Sequence, residues 1–274
     1  MTTDVMPSYR EECFIQGKTG NPDVCEDMIV ECAHFCAVID GVTSKTGRLY
    51  DGKTGGRLAA ELLAQEIRRF DPWETAISAL EKLDLAVREV NRSNSKEPDT
   101  SVQACVILYS KARREVWNYG DCNCMINGAG VDHGKQVDDI LGRLRALVIA
   151  AHLKQGGKEE DILQQDIGRE AILPFLKLQS VFANDDSCFG YPVINGTGIR
   201  EQFIKCYPVA VGDHVVLASD GYPKLFPTLK ESEEYLQYIL QADPLAYLEN
   251  VQTKMLTKGN LSFDDRAYLS FFVK

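Results

Sequence analysis

The sequence predicts an α+β layered domain, and three observations carry that prediction. Short apolar runs that read as strands come in clusters, apolar positions at helical spacing come in consecutive pairs of segments, and the two kinds do not alternate as strand–helix–strand units. A composition of 45% hydrophobic and 26% charged over 274 residues suits a globular chain able to bury a large core.

Taken in order, residues 10–16 and 27–32 read as strands around a polar turn at 17–23, and an antiparallel pair is their simplest arrangement. A third strand, Phe35-Cys-Ala-Val-Ile-Asp-Gly41, is followed by a loop of small and charged residues to Gly55. Leu58, Leu62, Leu63, Ile67 and Phe70 then recur at helical spacing. Pro72 opens a second helix carrying Ala76, Leu80, Leu83, Val87 and Val90, so two helices are expected over one sheet face. Residues 102–109, 115–119 and 122–126 read as a three-strand meander. The region 137–179 changes to helical period with a break at Gln155-Gly-Gly-Lys158, and 180–200 is an irregular connection rich in Gly, Asn, Asp and Pro. Strands return at 202–207 and 214–218, two helices are expected over about 231–258, and 267–273 closes as a strand. Trp73 and Trp117 read as core or half-buried anchors.

Composition excludes several function classes. A formal net charge of −10 leaves no basic footprint for a phosphate backbone, so nucleic acid is not an expected partner. No apolar run reaches membrane-spanning length, and Met1-Thr-Thr-Asp-Val-Met-Pro7 lacks a basic start and apolar stretch, so a cytoplasmic location without membrane partners is expected. Nine cysteines, odd in number and never spaced C-x-x-C, read as reduced thiols. With four histidines, no two of them spaced to share an ion on one helix face, a metal here would be held by oxygen.

The oxygen donors stand out by position. Glu26-Asp27, Asp40-Gly41, Asp220-Gly221 and Asp264-Asp265 each sit at an edge of a predicted strand, with Gly120-Asp121 as a weaker fifth. A single Asp-Gly pair is most often a turn. Two of these pairs, however, end unusually apolar runs, Phe35–Ile39 and Val215–Ala218, and so place carboxylates on rigid strand ends. Crowded carboxylates repel unless a hard divalent cation such as Mg²⁺ or Mn²⁺ neutralises them.

Glu26-Asp27, Ile39-Asp-Gly41, Tyr119-Gly-Asp121, Gly212-Asp213 with Leu217-Ala-Ser-Asp-Gly221, and Ser262-Phe-Asp-Asp265 together resemble the ordered motifs of the metal-dependent type 2C Ser/Thr protein phosphatases. The resemblance implies one domain over 1–274 built as a four-layer sandwich, two stacked antiparallel β-sheets flanked by pairs of α-helices, with a divergent segment at about 130–200. It implies a phosphoprotein substrate and hydrolysis of phosphoserine or phosphothreonine by a water activated between two Mg²⁺ or Mn²⁺ ions. It further implies that Asp40 bridges the ions and the Gly41 carbonyl supports one, while Asp220 and Asp264 complete the other shell. Glu26 and Asp27 would act largely through waters, and Asp121 would hold a third, looser ion. Asp40 and Asp220 are the residues on which catalysis is expected to depend.

The chain departs from the family pattern in places. The His that usually follows the second motif is absent, because residues 42–54 intervene before Gly55-Gly56, and no arginine precedes Glu26-Asp27 at the usual distance. Lys18 is the nearest cation and the expected phosphate contact. Two rival readings remain: a phosphatase-fold protein that binds without turnover, and a nucleotide-binding ATPase or GTPase. Gly47-Arg-Leu-Tyr-Asp-Gly-Lys-Thr54 supports the latter by matching G-x-x-x-x-G-K-[ST], although the segment before it is polar. The bland reading of that string is a loop with Thr54 as a helix N-cap.

Overall fold

Apolar runs buried on both faces set the architecture. A computed structural model describes residues 10–44, 47–94, 102–131 and 133–274. In chain order its strands are β1 (Arg10–Gln16), β2 (Met28–Glu31), β3 (Phe35–Gly41), β4 (Leu49–Tyr50), β5 (Lys53–Thr54), β6 (Ala104–Ser110), β7 (Glu115–Tyr119), β8 (Asn123–Ile126), β9 (Ala129–Val131), β10 (Lys205–Pro208), β11 (His214–Ala218) and β12 (Arg266–Phe272). The helices are α1 (Gly55–Ile67), α2 (Ala76–Asn94), α3 (Gln136–Lys154), α4 (Glu159–Gln164), α5 (Ile167–Leu178) and α6 (Leu229–Ala242).

Two antiparallel five-stranded sheets form, in the orders β1-β12-β11-β8-β9 and β10-β7-β6-β3-β2. Alternate residues of β3 and β6 explain their unbroken apolarity. Cys36, Val38, Cys105, Ile107 and Tyr109 pack against Val215, Leu217, Leu269 and Phe271 of the facing sheet, which makes the sandwich core. Phe35, Ala37, Ile39, Val106 and Leu108 turn the other way, onto Leu63, Ile67, Leu80, Leu83 and Val87 of α1 and α2. The outer face of the first sheet, through Val216, Ala218, Met125 and Tyr268, meets Tyr222, Leu225 and Leu229 at the start of α6. The predicted α+β sandwich of two stacked antiparallel sheets is therefore the one observed.

Several local expectations are corrected. β1 does not pair with β2: it pairs with β12 in one sheet, while β2 pairs with β3 in the other. Likewise β8 leaves the expected meander and pairs with β11, so the chain crosses between sheets at Gly120-Asp121. Gly120 has φ +131, and a Cβ there would lie 2.2 Å from the Cβ of Cys105, so the crossing requires glycine. α2 begins at Ala76 rather than Pro72, and Glu201–Phe203 is a 3₁₀ turn ahead of β10. Only one helix, α6, occupies the stretch from 231 to 258 where two were expected. After it Asp243 accepts bonds from the backbone amides of Tyr247, Leu248, Glu249 and Asn250, which fixes an irregular path instead of a helix. Trp117 is buried, but Trp73 is 67% exposed.

Within the segment at about 130–200, α3, α4 and α5 fill the stretch expected to be helical and the chain from 183 to 200 is irregular as expected; α3, α4 and the irregular chain after α6 share a core of Ile149, Ile162, Leu245 and Met255. Arg145 of α3 is fully buried there. Its guanidinium donates to Asp166 at 2.8 Å and to the carbonyls of Ala246 and Gln252. Removing one partner of a buried pair leaves the other charge uncompensated, at about 3–5 kcal/mol. Arg145→Met is accordingly expected to lower the melting temperature sharply, with Arg145→Lys recovering only part, because an ammonium lacks the planar fork. A melting curve within experimental error of the wild type for Arg145→Met would contradict this.

Candidate metal centre

Each acidic motif reaches its place by a different element, and the sandwich brings them to one end. Asp40 ends β3, Asp220 follows β11, Asp121 lies at the crossing from β7 to β8, and Asp264 precedes β12. Asp40, Gly41, Asp121, Asp220 and Asp264 all line a single cleft of about 400 Å³, whose other walls come from α5 and the irregular chain at 250–254.

Glu26 and Asp27 stand behind that wall, buried, and each keeps one oxygen, Oε1 and Oδ2 respectively, without a hydrogen-bond partner. Buried acceptors of this kind call for a cation or an ordered water. Hydrogen bonding distinguishes the two adjacent aspartates at the last motif. Asp265 accepts from the backbone amides of Lys18 at 2.7 Å and Glu26 at 2.8 Å, so it stitches the segment between β1 and β2 to β12. Asp264 is the one open to the cleft.

The carboxylates press on one another. Burial, then Asp220, Asp27 and Asp121, push the Asp40 carboxyl well above the usual range. Burial, then Asp265 and Asp220, do the same to Asp27 against a hydrogen bond from Ser219. For Asp220, open to the cleft yet hemmed in by its walls, lost solvation and then Asp121 raise it. Asp121 alone is lowered: desolvation is the largest single influence and opposes its charge, but Lys135, a hydrogen bond from Cys105 and a backbone amide together outweigh it.

Three lysines are interleaved with these acids. Lys18 Nζ lies 2.9 Å from Asp264 Oδ1, 3.2 Å from Thr43 Oγ1 and 3.9 Å from Glu26 Oε2. Lys254 Nζ contacts the other Asp264 oxygen, and burial pushes its ammonium down to about 8 against the pull of Asp220. Lys135 pairs with Asp121. Lys18 reaches the edge of the cleft through Asp264 and Thr43, which line it; among the described residues the cations that line it directly are Lys135, Arg169 and Lys254. Nothing in local spacing singled those three out, because they come from a helix N-terminus, α5 and an irregular loop.

The donor set is chemically right for hard divalent cations: Asp27, Asp40, Asp220, Asp264, Glu26 and the Gly41 carbonyl offer oxygen only, with a surplus of negative charge. Among the described residues no three His, Cys, Asp or Glu side chains close around an ion unaided. The lysines hold several of those oxygens instead. All nine cysteines are free thiols, and none lines the cleft.

The nucleotide-loop reading is overturned. Gly47–Thr54 contains a tight β4–β5 hairpin, turned at Asp51 with φ 48 and Gly52 with φ 83, instead of a loop cradling phosphates after a buried parallel strand. Lys53 Nζ sits 2.5 Å from Glu61 Oε2, and Thr54 caps α1 by accepting from the Arg57 amide. No described helix is long and apolar enough to cross a membrane.

No family model matches the sequence, and no curated protein does. Solved structures do match in fold. The Mycobacterium tuberculosis serine/threonine phosphatase PstP/Ppp is 13% identical with a TM-score of 0.51, over 96% of this chain and 97% of that one. The catalytic domain of serine/threonine protein phosphatase PstP in complex with two manganese ions is 14% identical with a TM-score of 0.50, over 96% and 97%. Staphylococcus aureus serine/threonine phosphatase Stp1 is 10% identical with a TM-score of 0.50, over 97% and 96%. This chain therefore has the fold of the type 2C Ser/Thr phosphatases, in a divergent form.

Proposed function

We propose that the chain is a metal-dependent phosphoprotein phosphatase acting on phosphoserine and phosphothreonine with Mn²⁺ or Mg²⁺. The observation that carries this reading is the meeting of Asp40 and Asp220, delivered by strands of two different sheets, in one cleft with Asp264. Asp40, Asp220, Asp264 and the Gly41 carbonyl are the groups that would hold two ions, with Glu26 and Asp27 behind them. When bound, such ions supply a water acidic enough to act as a nucleophile near neutral pH, and they neutralise phosphoryl charge.

The chain's own side chains do the rest. Asp40 and Asp220, on strand ends fixed by the sandwich core, hold a constant orientation. Arg169 donates one nitrogen to the Thr253 carbonyl at 2.7 Å and lines the cleft beside Lys254, so a phosphoryl group entering there meets two cations from the helical segment and its neighbouring loop. Asp265 and Ser219 keep the motif backbones in register, through the bonds to Lys18 and Glu26 and through the bond from the Ala267 amide to Ser219 Oγ at 2.8 Å.

Purified protein is expected to release phosphate from phosphoserine or phosphothreonine peptides with added Mn²⁺ and to stop on addition of EDTA. Asp220→Ala is expected to lower kcat/KM by about 10³-fold, an effect of roughly 4 kcal/mol. Turnover indifferent to EDTA and to that substitution would sink the reading. A second reading, a phosphatase-fold protein that binds without turnover, draws support from Lys18 and Lys254 on Asp264. Metal binding by calorimetry without turnover on any of several phosphopeptides is the outcome that would select it.

A further inference from the structure

We propose that Lys135 replaces a third divalent ion on Asp121, so that this corner of the cleft carries a built-in ammonium where a looser metal would otherwise sit. The inference rests on the metal-dependent reading of the same cleft, and it concerns how many ions that cleft takes.

Asp121 is held rigidly. It follows Gly120, whose backbone conformation and closeness to Cys105 leave no room for another residue, at the point where the chain passes from β7 to β8. The Lys135 Nζ lies 2.6 Å from Asp121 Oδ2, and the two side chains are 11% and 13% exposed. The same ammonium lies 5.2 Å from the centroid of the Tyr191 ring, which offers its negative face. Lys135 is the N-cap residue of α3, where an ammonium has no acceptor to offer the first helix amides, and its contact with Asp121 places its side chain in the cleft.

A cation bound to this carboxylate from solution has to displace a cation tethered to it. A lysine ammonium and a divalent ion on the same oxygen repel at short range, and the low-dielectric surroundings strengthen that repulsion. The tethered cation also needs no metal concentration to be present. Asp121 is thus neutralised at every Mn²⁺ level, and Asp40 and Asp220 remain for ions; Asp264 carries lysines too, but Lys18 and Lys254 are more exposed, at 23% and 31%, than Lys135 at 11%, and so are displaced more readily. Because Lys135 begins α3, the ion pair also ties the divergent helical segment to the floor of the cleft.

The test is a comparison of ion counts, which is independent of turnover. Mn²⁺ bound per chain, measured by calorimetry and by the loss of the free-ion paramagnetic resonance signal, is expected to rise by one in Lys135→Ala relative to the wild type. The extra ion should vanish in Lys135→Ala/Asp121→Asn. Asp121→Ala alone should bind as many ions as the wild type. Equal counts in folded Lys135→Ala and wild type, or one ion fewer in Asp121→Ala, would overturn the proposal. Should Lys135→Ala fail to fold, the Asp121→Ala comparison decides alone. A wild type that binds ions without any phosphate release refutes the enzymatic reading and leaves these differences readable.

Discussion

Asp40→Asn is expected to abolish Mn²⁺-dependent phosphate release, with kcat/KM lower by about 10³-fold or more, while leaving the metal-free protein as stable as the wild type or more so. The two effects share one cause. In the metal-free cleft Asp40 is half-buried, with Asp220 and Asp27 the foremost carboxylates raising its proton affinity, and removing its charge with an isosteric amide relieves repulsion. With ions bound the same carboxylate becomes a ligand, and its loss removes several kcal/mol of transition-state stabilisation, each 1.36 kcal/mol being about tenfold in rate. Ligand linkage gives a second readout. At about 100 times its dissociation constant, Mn²⁺ stabilises the wild type by about 2.7 kcal/mol, a rise of roughly 5–10 °C in melting temperature for a chain of this size. Asp40→Asn should lose most of that rise and, in EDTA, melt no lower than the wild type. Retained turnover, or an Mn²⁺-induced shift equal to the wild type's, would refute the assignment of Asp40.

What could be read before the fold was known follows the range of the forces involved. β3 and β11 were legible because apolar runs ended by Asp-Gly are local signals, and the α1 and α2 pattern was legible because period 3.6 is local too. Strand partners were not. β1 meets β12 some 250 residues away, with Gln16 opposite Arg266, so its neighbour in sequence, β2, was the natural but mistaken choice. The absent second C-terminal helix has a similar origin: apolar residues at 245–256 suggest a period, yet Asp243 captures four amides that a helix would have used internally. In the cleft the acids announced themselves through their motifs. Their counter-ions did not, since Lys135, Arg169 and Lys254 reach it from elements whose placement is a tertiary fact. The string Gly47–Thr54 shows the converse. Its letters fit a phosphate loop, but Asp51 and Gly52 suit a hairpin turn, and the local backbone preference prevailed.

Gly41→Ala is expected to destabilise the protein by about 3 kcal/mol, near the upper end of the usual cost of overpacking, and to lower the melting temperature by roughly 5–10 °C. Gly41 has no positive φ, so the requirement is for space. A Cβ there would lie 2.4 Å from the Gly56 carbonyl oxygen and 2.5 Å from that of Glu26, and both are backbone atoms with no rotamer to change. Gly56 is equally confined, its own Cβ position falling 2.7 Å from Glu26 Oε1 and from Gly41. The end of β3, the approach to β2 and the start of α1 thus meet at a point that admits no side chain, and Asp40 and Glu26 owe their placement to that meeting. Alanine keeps the carbonyl that the Asp-Gly motif would offer to an ion. A large drop in melting temperature measured in EDTA therefore assigns the glycine to packing, whereas a variant that melts normally in EDTA and loses only its Mn²⁺ response would assign it to the ion alone and contradict the steric account.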